Sequence, residues 1–560
     1  MPTARYAAYL CAALLYACVF AACGESAAPA TPAPPTPAPA TAVRMASAAP
    51  ADTLRWSVEG ATGPRSIDPA KPGDTQGVTI GSLIFAGLVR LGETLDVQPD
   101  GASDWTVSDD GRTYTFTIRD GLTFANGRAV TAEDFVYSIT RALAPETAAY
   151  GAPAQLSHIQ GAADVVSGKA QAVSGLKALD ARTLQITLDE PVAYFLAQLT
   201  YPYTFAVPRE LVERGADWTD AAYGTGPYRV KEWKRGEYML LAASEHYWGG
   251  KPGVPFVRFV FNPDSDAAFQ QYQRGDLDIM GSGQNPVPAA RIPEVQNLPD
   301  FRSAPASLQT RYVGFNNRKA PFDNVDVRRA FALAVDKRTL ANETLAGQAL
   351  PADRILPTGL LGTQQPIRPL LFDPGAAKAA LAQAGYPDGQ GLPPITLTYG
   401  QEGDNETVVK ALQRDWKNYL GVQVALQPMP LDAFSSSLDQ TYRTPEAGLQ
   451  MYYSIWTADY PDPQNFLSQQ LHTGVPNNNG HWSDAAFDRL VDEADKLSDR
   501  TQVDRRIKLY NQAEQIAIDK VGWLPLIYPR TNMLVRPRVQ GIVLTPNGLL
   551  IPDYTKLRLV

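Results

Sequence analysis

Trp456 and Asp459 stand three residues apart, where an apolar run gives way to prolines, and the chemistry open to them is capture of a cation. Met451 to Trp456 is aromatic and β-branched, the composition that strands favour. Pro461 and Pro463 each lack the N–H that a central strand needs, so the strand must stop before them. A buried strand therefore delivers Trp456 and Asp459 to its C-terminal mouth, where open α/β sheets hold ligands. A carboxylate left unpaired there is unfavourable. Asp459 must meet a cation, supplied either by the protein, as an ion pair beside a core tryptophan, or by a ligand.

Little else in the chain offers chemistry. All three cysteines, Cys11, Cys18 and Cys23, precede residue 24, so the rest of the chain has no disulfide, thiolate or cysteine metal site. Four histidines, His158, His246, His472 and His481, do not make a histidine-rich metal centre. No G-x-S-x-G elbow, H-E-x-x-H, C-x-x-C pair or phosphate loop occurs, so the expectation is a protein that is not an enzyme and carries no cofactor or metal. A net charge of −8 and a pI near 5.3 argue against nucleic acid as a partner.

The elements that must position Asp459 come from a long chain. At 560 residues it exceeds one ordinary core and implies about two or three domains. Residues 1–22 read as a signal peptide, with Arg5 ahead of an apolar run from Ala7 to Ala22. Residues 23–52, rich in Ala, Pro and Thr, form a semi-stiff spacer unable to bury a core. In the body, Gly77 to Leu91 has helical spacing, and Asp110-Gly111 opens the alternating strand Thr113–Ile118 of a hairpin. Thr131 and Asp134 make a capping box for a helix burying Phe135, Val136, Ile139 and Leu143. Strands are expected across 224–241 and 256–261. From Thr310 onward helices and strands alternate, as in an α/β domain. Asp373 with Pro374 starts one helix, Thr407 to Leu420 is a second, Ser483 caps a third through Leu497, and Gln502 to Ile518 is a fourth. Leu524 to Tyr528 is a last strand.

The run Trp105-Thr-Val-Ser-Asp-Asp-Gly111, Tyr114-Thr-Phe-Thr-Ile-Arg-Asp-Gly-Leu-Thr-Phe124, Asn126-Gly127 and Val130-Thr-Ala-Glu-Asp-Phe-Val-Tyr-Ser138 resembles the hallmark of the oligopeptide/dipeptide-binding family, the extracellular solute-binding proteins of ABC importers. Gly224-Thr-Gly-Pro-Tyr-Arg-Val-Lys-Glu-Trp233, Ala320-Pro-Phe-Asp-Asn-Val-Asp-Val-Arg-Arg-Ala330 and Ala384-Gly-Tyr-Pro-Asp-Gly389 follow in the same order. The end of the export run, Phe20-Ala-Ala-Cys23, resembles a lipobox, with Phe20 where that pattern has Leu.

The resemblance implies a periplasmic-binding-protein-like α/β fold: two α/β lobes joined by hinge strands, plus an inserted middle domain. Lobe I would comprise 53–92, 223–309 and 524–560, the insert 93–222 and lobe III 310–523, with Gln309 to Val313 and Trp523 to Tyr528 as hinges. It implies that Asp459 pairs with the free α-ammonium of a peptide ligand, and that the main chain of Ile455 and Thr457 bonds the peptide as an added strand. Trp456 would wall a side-chain pocket, while Asp74 and Gln76, in the loop Gly73 to Thr79, would supply the opposite edge. The expected partners are a peptide, the permease subunits of an ABC importer and the membrane, reached through a lipid on Cys23. The body would be a monomer outside the cytoplasm. Relatives in that family that bind sugars, opines, nickel chelates or haem leave a second reading of the cargo open.

Overall fold

The computed structural model describes residues 52–60, 62–149, 151–281 and 286–560. The export run, Cys23 and the Ala/Pro/Thr spacer, with every expectation placed on them, lie outside those residues.

A mixed sheet of twelve strands runs through the body. Its principal members are β1 (Thr53–Glu59), β2 (Phe256–Asn262), β3 (Ile279–Met280), β4 (Phe301–Ala306), β5 (Gln309–Phe315), β6 (Ile395–Gly400), β7 (Met451–Thr457) and β8 (Leu524–Val535). The order is Val424–Met429, β6, β7, β5, β8, β3, β1, β2, Tyr238–Ala243 and Tyr228–Lys234, with β4 and Ala349–Pro351 also paired to β8. β8 belongs to both halves of this sheet. Leu524 to Pro529 is laddered to β5 and Ala349–Pro351, and Arg530 to Val535 to β4 and β3. Residues 524–529 thus pair with one half of the sheet and residues 530–535 with the other. A twelve-residue strand is long enough to find partners on both sides, and its apolar start enters the core around Val313. β4 and β5 are joined by Ser307 and Leu308, and both the N–H and the Oγ of Ser307 donate to Pro529 O, at 2.8 and 3.0 Å.

β7 is covered on both faces. Tyr452 packs with α3 (Ala485–Asp495) and α4 (Val503–Asp519) through Phe487, Val491, Tyr510 and Ala513. On that same face Tyr312 of β5 stacks on Trp523 at 3.6 Å. Met451 and Tyr453 face Val408, Leu412 and Trp416 of the helix Asn405–Leu420. Two-sided cover is why Met451 to Tyr453 read as a continuous apolar run.

The segment 93–222 has its own antiparallel sheet, ordered Ala102–Val107, Thr113–Ile118, Thr183–Thr187 and Leu176–Ala178. α2 (Ala132–Leu143) starts at the expected Thr131–Asp134 capping box and buries Phe135 and Ile139 against Phe116 and Ile186. Two local expectations are corrected. α1 spans Thr75–Ile84, because Asp74 caps it early and the carbonyls of Gly87 and Leu88 take strand-like bonds from Gly101 and Ala102. α3 is capped by Asp484, one residue after Ser483, since its carboxylate reaches two first-turn N–H groups. Among the described residues no helix is long and apolar enough to cross a membrane.

Candidate functional site

β7 ends at Thr457, and Asp459 lies two residues beyond it. The chain then enters a short 3₁₀ turn, Pro463–Asn465, capped by Asp462, whose Oδ1 accepts from Gln464 N at 3.0 Å. Asp462 is held by a bidentate pair with Arg506 of α4, at 2.8 and 2.6 Å. Both partners are buried, a setting in which one partner without the other is strongly unfavourable. The turn is thereby fixed to the helix layer, and it carries Asn465 to a fully buried position behind Asp459.

Asn465 ties the two predicted site side chains together. Its Oδ1 accepts from the Asp459 N–H and from Trp456 Nε1, both at 3.1 Å. Its Nδ2 donates to Asp459 Oδ2 at 3.3 Å and to Gln469 Oε1 at 2.6 Å. Gln155, from the inserted segment, adds a side-chain hydrogen bond to the same carboxylate. Burial lifts the Asp459 pKa above the ordinary carboxylate range, while the bonds from Asn465 and Gln155 oppose the rise.

No protein cation neutralises this carboxylate among the described residues. Arg311, opposite Ile455 in the ladder, is paired with Asp404, and Arg506 is paired with Asp462. Among the described residues Asp459 makes no ion pair. Asp459 is half-buried.

The edge of β7 is the second feature. β5 runs antiparallel along its whole length, from Gln309 opposite Thr457 to Phe315 opposite Met451. On the other side β6 pairs only with Met451, Tyr452 and Tyr453, then ends at Gly400. Ala458 N–H donates to Leu308 O at 2.8 Å, so the even-numbered residues turn their main-chain groups toward β5. By alternation, Ile455 and Thr457 turn theirs toward the side that β6 has vacated. Their N–H and C=O groups line an open strand edge that ends beside Asp459.

Asp74 and Gln76 form a separate group. Asp74 caps α1, its carboxylate accepting from Gly77 N at 2.7 Å and Arg65 N at 2.8 Å. Gln76 is half-buried, with its amide over Gly60. No hydrogen bond or ion pair joins this group to Asp459 among the described residues. His472 Nδ1 and His481 Nε2 lie at 2.9 Å from the carbonyls of Thr473 and Tyr442. Asn465 and Gln155 escaped the sequence reading. Asn465 carries no signal beyond the Asp462-Pro463 cap before it, and Gln155 lies some 300 residues from Asp459 in the chain.

The model of the family "Bacterial extracellular solute-binding proteins, family 5 Middle" matches residues 96–478. The probable deoxycholate-binding periplasmic protein YgiS of Escherichia coli is 32% identical over 509 residues, 89% of this chain and 91% of that protein. The periplasmic oligopeptide-binding protein OppA of Salmonella typhimurium is 31% identical over 491 residues, 85% of this chain and 87% of its own length. The unliganded open form of the murein tripeptide-binding protein MppA superposes with a TM-score of 0.75 at 28% identity, covering 91% of this chain and 98% of that one. The family model covers more than half of the chain, and the chain belongs to the bacterial extracellular solute-binding proteins, family 5.

Proposed function

We propose that the protein is an extracytoplasmic solute-binding lipoprotein that captures peptides between two lobes and passes them to the permease subunits of an ABC importer. The observation that carries this reading is a crowded Asp459 with no protein cation among the described residues, set beside an open strand edge at Ile455 and Thr457. A free peptide supplies what each lacks: an α-ammonium for the carboxylate and an extended main chain for the edge. Main-chain bonds read no side chain, so the mode tolerates many sequences, and Trp456 walls one pocket that tunes preference. Asp74 and Gln76 supply the facing edge, with Asp74 acting through the cap that holds its loop.

In the same reading, 53–92, 223–309 and 524–560 form lobe I, 93–222 is the insert and 310–523 is lobe III. Residues 1–22 direct export, Cys23 takes the lipid, and 24–52 hold a monomeric body off the membrane. The protein binds and releases its cargo without turnover.

The resemblance to YgiS supports a second reading, in which the same fold takes another solute. Deoxycholate is an anion, and Asp459 without a neighbouring cation repels it. A sugar, opine, nickel chelate or haem needs no ammonium. Calorimetric titration of the body from Asp52 with a free tripeptide and its N-acetylated form separates these cases. The peptide reading expects Asp459→Asn to weaken the free peptide by about 30-fold or more and to leave the acetylated one unchanged. Heat with deoxycholate, a sugar or haem, and none with peptides, overturns it.

A further inference from the structure

We infer that Asn465 is a positioning residue for the bound ammonium, holding the Asp459 carboxylate and the Trp456 indole in one fixed arrangement. The inference rests on the peptide reading of Asp459 and assigns the residue that makes that reading selective.

An amide has two donors and two acceptor positions, and Asn465 uses all four. One acceptor position takes the Asp459 main chain and the other takes Trp456 Nε1. One donor holds Asp459 Oδ2, and the second is anchored by Gln469 Oε1. Asn465 is fully buried, so solvent cannot replace any of these bonds. It is itself immobilised by the turn that Asp462 caps and Arg506 grips. The consequence is directional. With Oδ2 held from behind by Asn465, the plane of the carboxylate is set relative to the indole. An ammonium must then enter at one place and the first ligand side chain must fall against Trp456. Binding register follows from a residue that never touches the ligand.

Two substitutions separate positioning from simple packing. Asn465→Ala removes all four bonds. Asn465→Asp keeps the size and the acceptor that serves Asp459 N–H and Trp456 Nε1, but sets a second carboxylate against Asp459. Like charges there raise the pKa of the pair. Each variant, with Asp459→Asn as reference, is titrated from pH 5 to 8 with a free tripeptide and its N-acetylated form. Thermal melts confirm that each is folded.

The expected result has two parts. Asn465→Ala lowers affinity for the free peptide about tenfold and leaves the acetylated peptide within about twofold, so the preference narrows. Asn465→Asp moves the inflection of the free-peptide affinity curve to higher pH than in the wild type, an effect that packing alone does not produce. If Asp459→Asn abolishes the preference while both Asn465 variants keep the wild-type ratio and pH curve, the positioning role is overturned and the peptide reading stands. If Asp459→Asn keeps the preference, the peptide reading falls and this inference falls with it. Should Asn465→Ala fail to fold, the isosteric Asn465→Asp decides by its pH curve.

Discussion

At the scale of single residues, the candidate site centres on a crowded carboxylate, Asp459, whose pKa burial lifts. The lifted pKa of Asp459 means that its ionised form destabilises the empty protein. The sign follows from linkage. A carboxyl whose folded pKa exceeds its unfolded value contributes stability below the ordinary carboxylate range, and that contribution is lost as pH rises through the lifted value. Asp459→Asn should therefore stabilise the empty protein at pH 7 by about 0.5–2 kcal/mol, the order that relief of functional strain gives, and should remove the stabilisation that the peptide reading expects on adding peptide. A melt at pH 7 with and without tripeptide checks both halves. Asp74 is the contrasting case, since its carboxylate is occupied by two main-chain N–H groups. Asp74→Ala should cost about 1 kcal/mol of stability through the lost cap, read in a denaturant titration.

At the scale of elements, the open edge of β7 makes a prediction by parity. Ile455 turns its N–H away from β5, so Ile455→Pro removes a group that only a ligand would use. Peptide affinity should fall about tenfold while the melt changes little, because proline is tolerated where no ladder bond is lost. Ser454 turns its N–H toward β5, and Ser454→Pro should instead lower the melting temperature. Equal effects from the two substitutions would show that the parity is wrong. The turn at Pro463–Asn465 is an element of the same importance, since it links the Arg506–Asp462 pair to the site. Its cap was readable in the sequence as Asp before Pro. Its anchor on α4 was not.

At the scale of the whole molecule, the inserted segment meets the 460–498 region close to the site. Tyr194 stacks on Tyr460 at 5.9 Å, and Ala193 N–H donates to the Asp495 carbonyl at 2.9 Å. Burial lifts the Asp495 carboxyl to about 7, although Tyr510, Ser468 and Arg506 favour its charged form. Asp495 thus stabilises the fold below the ordinary carboxylate range, and that stability is lost as pH rises through about 7. Asp495→Asn keeps the oxygen that accepts from Tyr510 and Ser468. It should raise the melting temperature at pH 8 relative to wild type and change it little at pH 5. A pH series of melts tests the sign.

The chain alone was enough for whatever depends on near neighbours. The capping box at Thr131 and Asp134, the proline-bounded end of β7 and the placing of Trp456 and Asp459 at a strand mouth all follow from residues a few positions apart. The lack of cysteine and phosphate-loop chemistry in the body was equally plain. Tertiary structure decided what depends on residues far apart in sequence. Gly400 ends β6 early and leaves Ile455 and Thr457 an open edge. Arg311 and Arg506 are claimed by Asp404 and Asp462, and Asp459 has no protein cation among the described residues. Asn465 and Gln155 arrive at one carboxylate from segments about 300 residues apart in the chain. Local spacing encodes elements because helix and strand periods are short. Which charges pair, and which edge stays open, is settled only when distant segments compete for the same partners.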